Sequence, residues 1–184
     1  MSRCFGEGDP LYSAYHDEEW GRPVRTEQGL FERICLEGLQ AGLAWITVLR
    51  KREAFCEVLH GFDPEVVASL DVEPLMTDAR LIRSLPKLRA CVTNARATLA
   101  LDGGLVDLVW QHRYDGPPAA SWAEVPASTP ASVALAKDLK KRGFVFVGPT
   151  TAYAMLQAVG VVNDHLAACP VRDDVEAARS RPPG

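Results

Sequence analysis

Two pairs of soft, metal-type ligands sit at opposite ends of this chain, Cys4 with His16 and His165 with Cys169. If one ion holds all four, the first and last segments must meet in space and the rest must pack between them. Cys thiolate and neutral imidazole are the donors of closed tetrahedral zinc sites, and the His-x3-Cys spacing predicts that both side chains share one helical face. The familiar finger spacings are absent. The same four residues are therefore also compatible with a buried thiol, a solvated histidine and coincidence, and on the ligands alone both readings stand.

A chain of 184 residues supports a sizeable core. The expectation is a single compact domain over residues 1–170, followed by a disordered tail over 171–184, where charges of both signs and two terminal prolines occur. Hydrophobic residues at 47% and charged residues at 24% suit a soluble globular protein, and no apolar stretch is long enough to span a bilayer. The opening MSRCFGEGDP lacks the apolar core of a signal peptide. Cys35, Cys56 and Cys91 lie in apolar, helix-like sequence and read as free thiols, which predicts a reducing cytoplasm. A net charge of -4 argues against coating nucleic acid by bulk electrostatics. Arg50–Lys51–Arg52 and Lys140–Lys141–Arg142 are local basic clusters, read equally well as solvated helix ends.

The periodicity predicts an all-α fold. Leu30, Phe31, Ile34, Cys35 and Leu39 recur at three- and four-residue intervals and predict a helix over Gln28–Gln40. Further helices are expected over Ala44–Leu59, Pro64–Leu70, Leu75–Leu85, Leu88–Leu101 and, after a proline-bearing surface connection from Tyr114 to Pro130, over Pro130–Arg142. That last helix is the best punctuated: Ser128 or Thr129 to cap it, proline at its first position, basic residues at its carbonyl end and Gly143 to stop it.

Gly143-Phe-Val-Phe-Val-Gly-Pro-Thr150 then leads into a helix over Thr151–Val159. Glycines at 143 and 148 let backbone approach a ligand, and free amides at the next helix start favour an anion such as a DNA phosphate. Helical hairpins with glycine punctuation are also common where nothing binds. LKKRGFVFVGPTTAYAMLQA resembles the helix-hairpin-helix element of DNA repair glycosylases. Strand-cutting members of that superfamily carry a lysine two positions after the hairpin glycine, where this chain has Thr150, which is no amine and forms no Schiff base. The resemblance implies base removal without strand cleavage.

Glu37 falls on the apolar stripe Leu30–Ile34–Glu37–Ala41, where an unpaired carboxylate is costly. One reading pairs it with Arg33 one turn earlier. The other gives it a ligand: Tyr12, Tyr15, Trp20 and Trp45 are near in sequence, and aromatic faces with one carboxylate suit a planar cation. The segments RC, YSAYHDEEWG, FERICLEGLQAGLAWITVLRKRE and RGFVFVGPTTAYAMLQAVGVVNDH, with Cys169 beyond, resemble the type I 3-methyladenine DNA glycosylase family from about Cys4 to Cys169. By position, the resemblance implies zinc ligation by Cys4, His16, His165 and Cys169, base recognition by Glu37, stacking by Tyr15 and Trp45, and a pocket lining by Tyr12. It also implies that Leu43 stands near the gap left in the duplex. Two departures matter: Phe5–Gly6 stands where the family carries a tryptophan, so a pocket wall is either absent or supplied by Phe5, and Ala44 replaces a serine.

The implied activity is excision of 3-methyladenine from alkylated double-stranded DNA by a monomer with one structural zinc and no obligate protein partner. Asp164, where many hairpin glycosylases place an aspartate, is expected instead to orient the metal site or cap a helix. Two other classes remain: a non-enzymatic, zinc-stapled helix-hairpin-helix DNA-binding module, and a helical hydrolase of small alkylated nucleosides.

Overall fold

In a computed structural model, which describes residues 3–181, the chain is all-helical, with no strand among the described residues. Ten α-helices follow in order: α1 Pro10–Ala14, α2 Glu27–Gln40, α3 Trp45–Leu49, α4 Arg52–Val58, α5 Pro64–Val67, α6 Leu85–Leu99, α7 Gly104–Trp110, α8 Pro130–Lys141, α9 Pro149–Ala158 and α10 Arg172–Arg179. No described helix is long and apolar enough to cross a membrane.

The expected periodicity of α2 holds because it is the central element. Leu30, Phe31, Leu36 and Leu39 are wholly buried, and α2 packs against α6, α7 and α9. Its ends are fixed from near and far. The Thr26 hydroxyl accepts the Gly29 N–H at 3.2 Å, and at the other end Lys87 Nζ donates to the Leu39 carbonyl at 2.8 Å. Glu27 also caps a distant helix, accepting the Leu105 and Val106 amides at the start of α7 at 2.7 and 2.9 Å. Thr129 and Ser132 form a reciprocal capping box on α8.

Four sequence expectations change. The helix foreseen over Ala44–Leu59 is two, α3 and α4, because an i→i+3 bond from Lys51 N–H to the Val48 carbonyl tightens the backbone at the junction. Leu75–Leu85 keeps only a 3₁₀ turn over Pro74–Thr77; the Asp78 carboxylate then accepts the Arg80 amide at 2.9 Å, a local bond that competes with helix. The tail is ordered over Arg172–Arg179, since Arg179 is wholly enclosed and donates to the Gly160 and Val161 carbonyls at 2.7 and 2.8 Å. Residues 182–184 of that expected tail lie outside the described residues. His165 and Cys169 are joined by a turn, with Cys169 N–H on the Leu166 carbonyl at 2.8 Å, rather than by a helix.

The α8–α9 pair is joined by a compact turn over 142–148. Gly143 adopts a φ of +90°, and open space faces both it and Gly148. Phe144 and Val147 anchor the turn in the core, while Val145 and Phe146 stay exposed. Asn94, buried on α6, grips the turn by both polar atoms of its amide: it donates to the Val145 carbonyl at 3.1 Å and accepts the Val145 N–H at 2.8 Å.

Candidate functional site

Directly after α1 the backbone widens into a π-turn over Tyr15–Glu19, closed by the Trp20 N–H on the Tyr15 carbonyl at 2.8 Å. His16 joins Cys4, His165 and Cys169 in a cluster whose donor atoms all lie within 4.8 Å of one another. The Cys169 sulfur is 3.5 Å from His16 Nε2 and 3.4 Å from His165 Nδ1, and the Cys4 sulfur is 3.7 Å from His165 Nδ1. Those spacings match the edges of a tetrahedron with bonds of about 2.0–2.3 Å to its centre.

The tautomers fit as well. His16 Nδ1–H donates to the Asp17 carboxylate at 2.8 Å and His165 Nε2–H donates to the Trp20 carbonyl at 3.0 Å, so each ring turns its bare nitrogen to the sulfurs. The Leu166 N–H points at the Cys4 sulfur at 3.3 Å. Burial pushes the Cys4 thiol up to about 12 and the His165 imidazole down to about 4. A neutral imidazole is ready to ligate, and a cation among the donors supplies the charge that a buried thiolate lacks. The residues present therefore fit a metal ion.

Glu37 lies on the buried side of α2 and is 5% exposed. Arg33 is there too, but the pair is loose: Arg33 Nη1 stands 3.9 Å from the carboxylate. Arg33 is held more tightly by others, donating to Glu19 at 2.6 Å and to the Tyr15 hydroxyl at 3.1 Å. Glu19 in turn receives Arg52 at 2.6 Å. Burial pushes the Glu37 carboxyl up to about 7, with Arg33 only partly opposing it. Arg33 spans the Tyr15 and Trp45 rings, whose centroids lie 5.3 Å apart.

Both sequence readings of Glu37 thus meet in one place, an arginine beside it and a cavity in front. The cavity holds about 260 Å³ and is lined by Tyr12, Tyr15, Glu37 and Trp45, with Phe5 and Trp122 at its edge. Phe5 does stand in the wall, packed 4.9 Å from Tyr12 and 5.1 Å from Trp20 between centroids. The buried Trp45 indole N–H has no hydrogen-bond partner among the described residues. Beside it, a second hollow of about 200 Å³ shares Glu37 and is bordered by Leu43 and Thr150. Leu43 is 39% exposed in the loop between α2 and α3, and Thr150 is exposed at the start of α9.

Asp164 caps no described helix; its carboxylate accepts the Tyr153 hydroxyl and the Gln157 amide, tying α9 to the segment that leads into His165. Sequence reasoning missed Asn94 and Trp122. Asn94 carried no signal beyond a polar residue among the apolar positions of α6, and Trp122 only that of a lone large ring in a polar connection.

Fold and cavity define an all-helical protein whose cleft, acidic on one side and ringed by aromatics, suits a flat, electron-poor ligand. The family model described as methyladenine glycosylase matches residues 5–173, and the chain belongs to that family. It is 50% identical over 179 residues to DNA-3-methyladenine glycosylase 1 of Escherichia coli, which covers 92% of this chain and 96% of that protein. It is 46% identical over 181 residues to DNA-3-methyladenine glycosylase of Haemophilus influenzae, covering 93% and 98% respectively. A crystal structure of 3-methyladenine DNA glycosylase I is similar with a TM-score of 0.88 at 48% identity, covering 92% of this chain and 98% of that one. A variant of 3-methyladenine DNA glycosylase I in complex with 3-methyladenine gives a TM-score of 0.88 at 33% identity, covering 94% and 98%.

Proposed function

We propose that this protein is a monofunctional DNA glycosylase that excises 3-methyladenine from alkylated double-stranded DNA. The observation that carries this is the Glu37 carboxylate, buried beside the Tyr15 and Trp45 rings and facing a cavity. A carboxyl held near 7 for want of a strong partner is fully ionised by the arrival of a cation. Methylation gives the purine that charge. Adenine itself, neutral, offers neither the charge for Glu37 nor the electron-poor face for the rings.

In this reading the damaged nucleotide leaves the stack and enters the cavity lined by Tyr15, Trp45 and Glu37, with Tyr12 completing the wall. Leu43 fills the vacated place as an apolar wedge. Gly143 and Gly148 let a DNA phosphate approach the helix-hairpin-helix backbone, with Thr150 at the helix start, where amides are free. The bond between the sugar C1′ and the base nitrogen then breaks. Its electron pair goes to the purine, which leaves neutral, and the sugar becomes an oxocarbenium-like cation stabilised by Glu37 and the phosphates. Water adds to C1′ and gives up one proton to Glu37 or to solvent. No lysine stands at position 150, so no covalent adduct forms and the strand stays intact.

Cys4, His16, His165 and Cys169 would hold one zinc ion, whose four protein ligands leave no open position for activating water, so its role is structural. The protein works as a monomer in the cytoplasm. A non-enzymatic DNA-binding module accounts for the hairpin and the ligands but leaves the acid among aromatics idle. A nucleoside hydrolase leaves the hairpin idle. The test is incubation with methylated duplex DNA. Release of free 3-methyladenine with an unbroken strand and no borohydride-trapped adduct is expected; binding without release favours the module, and release from nucleosides alone favours the hydrolase.

A further inference from the structure

Trp122 belongs to the proline-bearing connection between α7 and α8, in a 3₁₀ turn over Trp122–Glu124. That turn is pinned at two points. The Trp122 indole N–H donates to the Cys4 carbonyl at 2.6 Å, and the Ala167 N–H donates to the Ala119 carbonyl at 2.8 Å. Ala167 lies between His165 and Cys169, so both arms of the candidate metal cluster hold this segment. Its own backbone is closed by the Glu124 carboxylate, which accepts the Ala120 N–H at 2.9 Å.

The ring so anchored is not packed away. It remains 41% exposed, lies 6.1 Å from Trp20 and 6.4 Å from Phe5, and borders the same cavity as Glu37 and Trp45. An indole fixed by its nitrogen and left half-open over a cavity contributes little to the core. Its free surface is available to whatever fills the cavity.

We propose that Trp122 is a specificity-determining wall of the pocket, contacting the extruded base and favouring a cationic alkylated purine over neutral adenine. This rests on the glycosylase reading. An electron-rich indole attracts a cationic ring more strongly than a neutral one. The base is most cationic before its bond to C1′ breaks, so contact of this kind acts at least as strongly in the bound ground state as in the transition state and appears in KM more than in kcat.

The decisive experiment compares the unsubstituted protein, Trp122→Ala and Trp122→Phe on methylated duplex DNA, with zinc content measured for each. For Trp122→Ala, KM for 3-methyladenine sites is expected to rise roughly five- to fiftyfold with kcat little changed and zinc retained. Trp122→Phe, which keeps a ring but loses the bond to Cys4, falls between. As a second readout on the unsubstituted protein, indole labelling shows four tryptophan N–H resonances. The Trp122 resonance, assigned by its loss in Trp122→Phe, is expected to move on saturation with the 3,9-dimethyladenine cation, which keeps the charge of the damaged nucleotide, and to stay put with neutral 9-methyladenine. If the unsubstituted protein releases no 3-methyladenine, the glycosylase reading fails and this inference with it. If it does release the base, yet KM is unchanged in Trp122→Ala or the resonance does not respond, the inference alone is overturned.

Discussion

Replacing Glu37 by glutamine should stabilise the protein while disabling it, and the gain should depend on pH in a defined way. The carboxyl is raised from an ordinary value of 4.5 to about 7, chiefly by burial. Between those values the folded state binds more protons than the unfolded chain, so stability falls as pH rises through the window and the full penalty is present above about 7. Integrated over the shift, the penalty is roughly 3 kcal/mol at pH 8 and about 1 kcal/mol or less at pH 5. Glutamine has nearly the same shape and no charge to desolvate, and Arg33 keeps Glu19 at 2.6 Å. Urea unfolding of both proteins at pH 5 and pH 8 should therefore show the variant's advantage growing by roughly 2–3 kcal/mol between the two. Taking the difference between proteins cancels the titration of the clustered Cys and His side chains, which they share. Excision of 3-methyladenine at pH 8 should drop sharply in the same variant. An advantage that is equal at both pH values would refute the account of Glu37 as a buried, titrating acid.

Treatment with a strong chelator should release one zinc per chain, counted with a chromogenic zinc indicator. Joining residues so far apart constrains the unfolded chain by about 4–5 kcal/mol on a loop-closure model, so the melting midpoint should fall by roughly 10 °C or more by calorimetry. Cys169→Ala should reproduce that fall without chelator. Asn94→Ala removes two hydrogen bonds to Val145 and should cost about 2–3 kcal/mol in urea unfolding, with weaker binding to undamaged duplex by fluorescence anisotropy. Leu43→Ala, at an exposed tip, should leave stability within about 0.5 kcal/mol but slow excision from duplex roughly tenfold in a single-turnover assay.

Helices whose apolar residues face one continuous core were legible in the sequence. The expected Gln28–Gln40 and Pro130–Arg142 lie within a residue of α2 and α8, because local capping by Thr26 and Thr129 agrees with the burial pattern. Where a distant contact or a local turn decides the backbone, sequence reasoning faltered. Nothing near Arg179 announces that the carbonyls of Gly160 and Val161 will draw it inside and order α10. The wall of the cavity shows the same limit. Phe5 was visible as a candidate from the N-terminal segment, whereas Trp122 reaches the rim only because Cys4 and Ala167 hold its turn. The cluster Cys4–His16–His165–Cys169 was readable as a set of donors, but its tautomers were not, since they depend on Asp17 and the Trp20 carbonyl.

The placement of the four candidate ligands also sets a timetable for synthesis. Tyr12 and Tyr15 ride on a segment whose anchorage at Cys4 and His16 is completed only by His165 and Cys169. As the nascent chain leaves the ribosome, α2 with Glu37 can form early and Arg33 offers Tyr15 and Glu19 a first hold, yet the Cys4–His16 end of the facing segment lacks its second pair of donors until residue 169 has emerged. A chain stalled short of that point has the acid and Trp45 but not the closed donor cluster that fixes the Tyr12 and Tyr15 side of the cavity.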